Sequence, residues 1–283
     1  MKVAITGSTW FIWWYLVRYF ANKWWDVIAF WRKKNVDIFD SLLNVEYMSW
    51  DINTPLTTKI SWIDAFIHSA ANLDYEKNLK DLMVDNVLAL RNILEFSKGI
   101  NHFVYISSSS VYQWQSWLLN VETKIKVEDL ENSYCHTKYL AEEYIREHFK
   151  NHVTLLRPRA VYGDWDRSLV PNILKHQIFK KLILPWNGNV RTSITEINDF
   201  VEKTYRVVSK KIYWVYNIST DIDRYESLYK KIARENNLKW IIKIPICFFR
   251  ILAIFNRNKY NYIVDTFEKD KILISTDFIN ENK

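Results

Sequence analysis

Tyr134 and Lys138 stand four residues apart in SYCHTKYLAEEYIREHF, residues 133–149, a stretch whose apolar spacing reads as a helix. That spacing puts both side chains on one face, one turn apart. A free phenol has a pKa near 10 and is a poor base at neutral pH. A neighbouring ammonium favours the phenolate and lowers that value. Tyr134 can then exchange a proton with a substrate hydroxyl or carbonyl. About 25 residues earlier, HFVYI (102–106) reads as a strand that runs into Ser107-Ser108-Ser109-Ser110. Ser108, at the C-terminal end of that strand, could donate a hydrogen bond to the reacting oxygen. Chance often supplies Tyr-x-x-x-Lys alone; the pattern gains specificity behind a serine-rich strand end.

The elements that must position these groups begin at the N-terminus. Val3-Ala4-Ile5 reads as a buried strand and Thr6-Gly7-Ser8-Thr9 as a tight turn. Apolar residues then recur at helical spacing: Phe11, Ile12, Tyr15, Leu16, Tyr19 and Phe20. Strand, Gly-bearing turn and helix form the context of a dinucleotide-binding fingerprint, where backbone N–H groups and the helix dipole hold a pyrophosphate. Such a fingerprint wants small residues at 7, 10 and 13. The chain has Gly7, Trp10 and Trp13. An indole at either of the last two would fill the space the phosphates need.

Further strands are predicted at 26–30 (DVIAF), 44–48, 64–68 (DAFIH), 153–156 (VTLL) and 213–218. Long helices are predicted over 77–98 and 133–149. Asn86 is the polar exception on the apolar face of the first, either a surface residue or one that bonds a neighbouring backbone. His68, alone on its strand, reads as a structural histidine. Strands alternating with helices imply a Rossmann-type doubly wound parallel sheet. Residues 1–160, with a strand returning near 213–218, form the NAD(P)-binding domain in this reading. Residues 161–283 form a smaller, mostly helical, mainly substrate-binding part. Within it, 168–181 reads as helical. The second strand ends at Trp31-Arg32-Lys33-Lys34. A carboxylate there would suit the ribose 2′-hydroxyl of NAD, whereas Arg32 and Lys33 suit the 2′-phosphate of NADP. A charged surface loop is the competing reading of that basic pair.

The 283 residues carry a net charge of +7, with the Lys and Arg scattered, which argues for a solvated surface rather than a nucleic-acid interface. Two cysteines give neither a disulfide framework nor a metal cluster and fit a reducing, cytoplasmic setting. No signal peptide is read before the first strand. The most apolar run, Trp240 to Phe255, is broken by Lys243, Pro245 and Arg250 and is too short to span a bilayer. It is expected to be a buried or partner-facing helix rather than a membrane contact.

The chain resembles an extended short-chain dehydrogenase/reductase of the NAD(P)-dependent epimerase/dehydratase family. The resemblance rests on TGSTWFIW (6–13), WDI (50–52), HSAA (68–71), DNVLALRNILE (85–95), YISSSSVY (105–112), YCHTK (134–138) and LRPRAVYGDWD (156–166), in family order over residues 1 to about 200. It implies Ser108, Tyr134 and Lys138 as the catalytic set, with the lysine also bonding the nicotinamide ribose. It implies cofactor contacts from Gly7, Thr9, Trp10, Phe11, Ile12, Arg32, Asp51, Ile52, Ala70, Ala71, Asn86, Ser107 and Pro158. The cofactor is NADP or NAD, with no metal. The reaction it implies passes hydride between the nicotinamide and a secondary alcohol or ketone while Tyr134 moves the proton. The segment after Pro158 looks most like members acting on nucleotide sugars or on sterol-like alcohols. A homodimer through the helices at 77–98 and 133–149 is implied by resemblance alone.

One departure runs through the whole chain. A soluble protein of this length should hold roughly 20 glycines, at about 7%. This one holds 4 glycines and 14 tryptophans. Besides Trp10 and Trp13, Trp31, Trp50, Trp165 and Trp186 stand where relatives commonly carry glycine, and Gln113 replaces the usual glycine after Val-Tyr. Three accounts compete: UGA codons read as glycine by the source lineage but translated as tryptophan, deliberate or artefactual substitution, or genuine tryptophans in a protein that has lost its cofactor. The last would make the chain a non-catalytic binding or scaffold protein. Relaxed selection would scatter changes over residue types, so convergence on one type argues against it.

Overall fold

The computed structural model describes residues 1–7, 10–33, 39, 41–58, 60, 62–97, 99–149, 152–186 and 189–275, with the side chain of Trp10 excepted. Seven strands form the central sheet: β1 (Lys2–Thr6), β2 (Asp26–Trp31), β3 (Val45–Ser49), β4 (Ala65–His68), β5 (His102–Ile106), β6 (Val153–Pro158) and β7 (Trp214–Ile218). Their order is β7-β6-β5-β4-β1-β2-β3, and every pair is parallel. The chain starts in mid-sheet, winds outward to β3, then reverses from β4 to β7. The reversal leaves a crevice beyond the carboxyl ends of β1 and β4, where ligands of such sheets bind.

Parallel strands covered on both faces need apolar residues in succession rather than alternation. Val3, Ala4 and Ile5 of β1 and Val27 to Phe30 of β2 meet that need and are buried. The helices are α1 (Trp10–Asn22), α2 (Leu79–Met83), α3 (Leu90–Phe96), α4 (Ser133–His148), α5 (Leu169–Lys175), α6 (Ile197–Ser209), α7 (Tyr225–Glu235), α8 (Ile246–Leu252) and α9 (Arg257–Glu268). On one face α1 brings Phe11, Trp13, Leu16, Val17 and Phe20 against Phe200, Val201 and Val207 of α6. On the other, Leu90, Ile93 and Leu94 of α3 meet Phe66, Phe103 and the Ala141 and Ile145 side chains of α4. Each fully buried side chain of this size contributes about 1.5–3 kcal/mol.

The helix predicted over 77–98 is interrupted. A π-helical turn, Val84–Leu88, separates α2 from α3 and carries Asn86 inward. The helical expectation at 168–181 ends at Lys175, and short strands follow at Gln177–Ile178 and Lys181–Trp186. Residues 240–255 are not one buried helix. Trp240–Pro245 is a strand beside Lys181–Trp186, and α8 after it leaves Phe248, Ile251, Ile254 and Phe255 exposed. A second small sheet joins Arg191–Glu196, Asp221–Arg224, Lys271–Leu273 and Trp117–Leu119. Through that last strand the segment after β5 is tied to the C-terminal part. Among the described residues no helix is long and apolar enough to cross a membrane.

Candidate functional site

Ser108 follows β5 in extended conformation and caps a short 3₁₀ turn, its Oγ accepting from the Ser110 N–H at 3.1 Å. The Ser108 side chain also acts on the Tyr134 hydroxyl, favouring its ionised form. Tyr134 sits in the first turn of α4 and is only 3% exposed. Four contacts hold that turn. The Asn132 carboxamide caps it, accepting from the Tyr134 N–H at 3.0 Å and the Cys135 N–H at 3.3 Å. Gln113 accepts from the Asn132 N–H at 2.9 Å. Asn258 of α9 accepts from the Ser133 N–H at 2.8 Å and donates to the Tyr75 carbonyl at 2.9 Å. The rings of Tyr75 and Tyr134 lie 4.8 Å apart, and Tyr75 stacks on Tyr262 at 4.5 Å.

Burial pushes the Tyr134 hydroxyl well above the usual phenol range; Tyr75 and Tyr105 add to this and the Ser108 hydrogen bond pulls against it. The expected lowering by Lys138 is not present. The Lys138 ammonium instead donates to the Tyr105 hydroxyl at 3.1 Å and the Ile106 carbonyl at 2.9 Å. Burial lowers its own pKa to about 7, against the pull of Glu142. Lys138 thus shares the face of Tyr134 but is anchored to β5. Tyr134 as it stands is a neutral phenol that holds its proton more tightly than a free one does.

Glu142, one turn further along α4, ties the site to the sheet. It accepts from Ser107 Oγ at 2.6 Å and from Arg157 Nε at 2.8 Å, while Arg157 Nη1 reaches the Tyr112 hydroxyl at 2.6 Å. Ser107 is therefore committed to this network, and Pro158 is buried at the end of β6, in register with Ile218. Asn86 accepts from the Asn72 N–H at 2.7 Å and donates to Thr137 Oγ1 at 3.2 Å. It bonds the neighbouring backbone, one of the two readings its sequence position allowed, and pins the loop after β4 to α4. His68 is structural, its Nδ1 2.6 Å from Thr6 Oγ1 and its pKa lowered to about 3 by burial.

A cavity of about 240 Å³ opens beyond β1, β2 and β4, lined by Thr6, Gly7, Arg32, Ile52, Ala70 and Ala71 among others. Five cofactor residues expected from sequence meet there. Asp51 lies outside it, exposed and accepting from the Asn53 N–H at 3.0 Å. Phe11 points into the core and Ile12 is half-buried, so their contribution to a phosphate would come from backbone N–H groups. Thr9 and the Trp10 side chain lie outside the described residues.

Residues expected at the adenosine end of a dinucleotide meet in this cavity, whereas at the pyrophosphate end Trp13 stands against Gly7. A Cβ placed on Gly7 would lie 2.3 Å from the Trp13 Cβ, so the indole packs directly on the glycine backbone. Trp13 is buried there, its Nε1 donating to the Ile5 carbonyl at 3.2 Å. Its ring lies against Trp31 and Phe39, at 5.7 and 5.3 Å.

The NAD-binding family described as male sterility protein matches residues 52–197, just over half of the chain. A 2-alkyl-3-oxoalkanoate reductase of Stenotrophomonas maltophilia is 25% identical over 210 residues, 70% of this chain and 62% of that protein. The chain spans less than two thirds of the length of the curated relatives it matches first, 61% and 62%. Among solved structures, the terminal R domain of the myxalamid pathway superimposes with a TM-score of 0.77 at 17% identity, covering 99% of this chain and 84% of that one. The Helicobacter pylori ADP-L-glycero-D-manno-heptose-6-epimerase gives 0.72 at 20% identity, over 99% and 89%. At these identities the likeness to the solved structures is one of fold.

Proposed function

The chain belongs to the NAD-binding male sterility protein family, within the extended short-chain dehydrogenases/reductases, and on that premise we propose an NAD(P)-dependent oxidoreductase of the epimerase/dehydratase type, acting on a secondary alcohol or ketone. The observation that carries the proposal is the cavity at the carboxyl edge of the sheet, which gathers Gly7, Arg32, Ile52, Ala70 and Ala71 at the same edge as the strand end that bears Ser108. Tyr134 donates its proton to a carbonyl oxygen, or takes one from an alcohol in reverse. Ser108 steadies that oxygen. Lys138, held by Tyr105 and Ile106, would meet a ribose hydroxyl with its remaining N–H. The dinucleotide, when bound, supplies or accepts the hydride. Arg32 at the cavity wall favours NADP over NAD. A nucleotide sugar is the substrate class we favour, because epimerases of such sugars share the fold over nearly the whole chain. A fatty 3-oxoacid is the alternative that the reductase relative supports. Residues 1–160 would then hold the cofactor and 161–283 chiefly the substrate, in a possible homodimer.

The Trp13 contact on Gly7 favours a second reading, a scaffold that keeps the fold without the cofactor. Fluorescence titration with NADPH and NADH separates the two, using the chain as written and a Trp10→Gly/Trp13→Gly variant in parallel. Binding to either protein supports the enzyme; failure of both ends that reading. Consumption of free NADPH would mark a reductase. A tightly held, non-exchanging nucleotide would mark an epimerase.

A further inference from the structure

Among the described residues, eleven that are not glycine have a positive φ, and five of these are tryptophan: Trp24, Trp114, Trp117, Trp165 and Trp214. Tryptophan makes up 14 of the 283 residues, so its share of these positions is far above its share of the chain. An L-residue with a bulky side chain avoids this region, because its Cβ crowds the carbonyl oxygen. The positions are also the ones at which chain geometry asks for glycine. At the end of α1, the Trp24 N–H bonds the Ala21 carbonyl at 3.0 Å and the Trp25 N–H bonds the Phe20 carbonyl at 3.2 Å. That pair of bonds defines a Schellman motif with Trp24, at φ 61°, in its left-handed place. The end of α7 has the same bonds with Asn237, a residue that tolerates the conformation.

Trp114 makes the second case. The Gln115 N–H bonds the Tyr112 carbonyl at 3.0 Å. Gln113 has φ −53° and ψ 139°, and Trp114 has φ 61°. These angles describe a type II turn, which requires a positive φ at its third residue. Trp165 repeats the theme at φ 65° in the turn closed by the Asp166 N–H and the Gly163 carbonyl. Nor do the indoles justify the strain by packing. Trp24 is 90% exposed, Trp165 73% and Trp214 79%.

We propose that positions 24, 114, 117, 165 and 214 are glycine in the protein its own host makes, encoded by UGA read there as glycine, and that position 13 belongs to the same set. The Trp13 side chain lies directly on the Gly7 backbone, at a position where the fingerprint wants a small residue. With glycine at 13, the indole that packs on the Gly7 backbone is removed. At the five positive-φ positions this rests on backbone geometry alone, whereas at 13 it also rests on the proposed cofactor site.

Tandem mass spectrometry of this protein's peptides from the source cells tests it. Glycine at all five positive-φ positions and at 13 is expected, with UGA at those codons in the gene. Tryptophan at any of the five, or UGG there, overturns the proposal. A recombinant series gives a second reading. Trp24→Gly and Trp165→Gly should each raise Tm, against the usual effect of placing glycine. Trp25→Gly, which removes a buried ring packed 5.4 Å from Phe20, should lower it. Equal losses in all three would count against the proposal. Peptides that read glycine, together with a Trp10→Gly/Trp13→Gly protein that binds no dinucleotide, would sustain this inference while removing the proposed function.

Discussion

At the residue scale the site depends on two buried groups whose burial works in opposite senses. Tyr134 is held neutral, and Lys138 is pushed towards losing its proton near pH 7. Tyr134→Phe keeps the ring against Tyr75 and removes the hydroxyl proposed to move the proton. It should lower kcat by about 10²–10⁴-fold, the usual worth of a positioned acid or base, with nucleotide affinity unchanged in the same titration. Lys138 has a signature in stability. Below pH about 7 it is charged in both folded and unfolded chains, and its burial cost is felt in full. Between there and about 10.4, the unfolded value, the unfolded chain holds a proton that the folded chain lacks, so stability rises with pH. Denaturant unfolding from pH 7 to 10 should show that rise, and Lys138→Met should flatten it. An unchanged slope in the variant would assign the titration to another group.

At the element scale, α4 is fixed at both ends of its active turn. Below Tyr134, the Arg157–Glu142 pair locks the helix to β6 inside the protein. Removing one partner leaves a buried charge, so Arg157→Met should cost about 3–5 kcal/mol in urea unfolding, and Arg157→Met/Glu142→Leu should recover much of it. Above Tyr134, Asn132→Ala removes the cap and should cost about 1 kcal/mol, or more because Asn258 also loses a partner. The alternation of apolar strands with amphipathic helices was legible in the sequence, and β1, β2, β5 and α4 lie within two residues of their predicted bounds. The serine-rich end of β5 and the Tyr-x-x-x-Lys spacing likewise brought Ser108 to Tyr134. The sequence did not disclose the clamp. Tyr75, Gln113, Asn132, Asn258 and Tyr262 converge from four segments, and no periodicity connects residues so far apart. The π-helical turn escaped for a related reason, since Asn86 is drawn inward by Asn72 and Thr137 rather than by its neighbours in the chain. Residues 240–255 misled because apolar content alone does not separate a short strand followed by a short helix from one buried helix.

At the scale of the whole molecule, the central sheet carries a built-in acid limit. His68 links β4 to Thr6 of β1 at the sheet's reversal, and His102 links β5 to Thr154 of β6, with Nε2 2.8 Å from Thr154 Oγ1. Both are buried and neutral. Burial lowers His68 to about 3, with Lys138 adding to the effect, and lowers His102 to about 4, with His152 and Lys211 adding. An unfolded histidine titrates near 6.5. Between that value and the folded ones, the unfolded chain binds two protons that the folded chain refuses, so stability falls as pH drops. Because the two histidines span four adjacent strands of a single sheet, their protonation should unfold it as a unit rather than fray an edge. The chain's +7 charge, growing as carboxylates protonate, adds repulsion in the same direction. Urea midpoints should therefore decline steadily from pH 6.5 to 4. In His68→Gln/His102→Gln the midpoint at pH 7 should be lower, since two buried hydrogen bonds are replaced imperfectly, but the decline over that interval should be much shallower. A variant that kept the full acid slope would place the sensitivity in the carboxylates, with Glu142 and its Arg157 partner the first to examine.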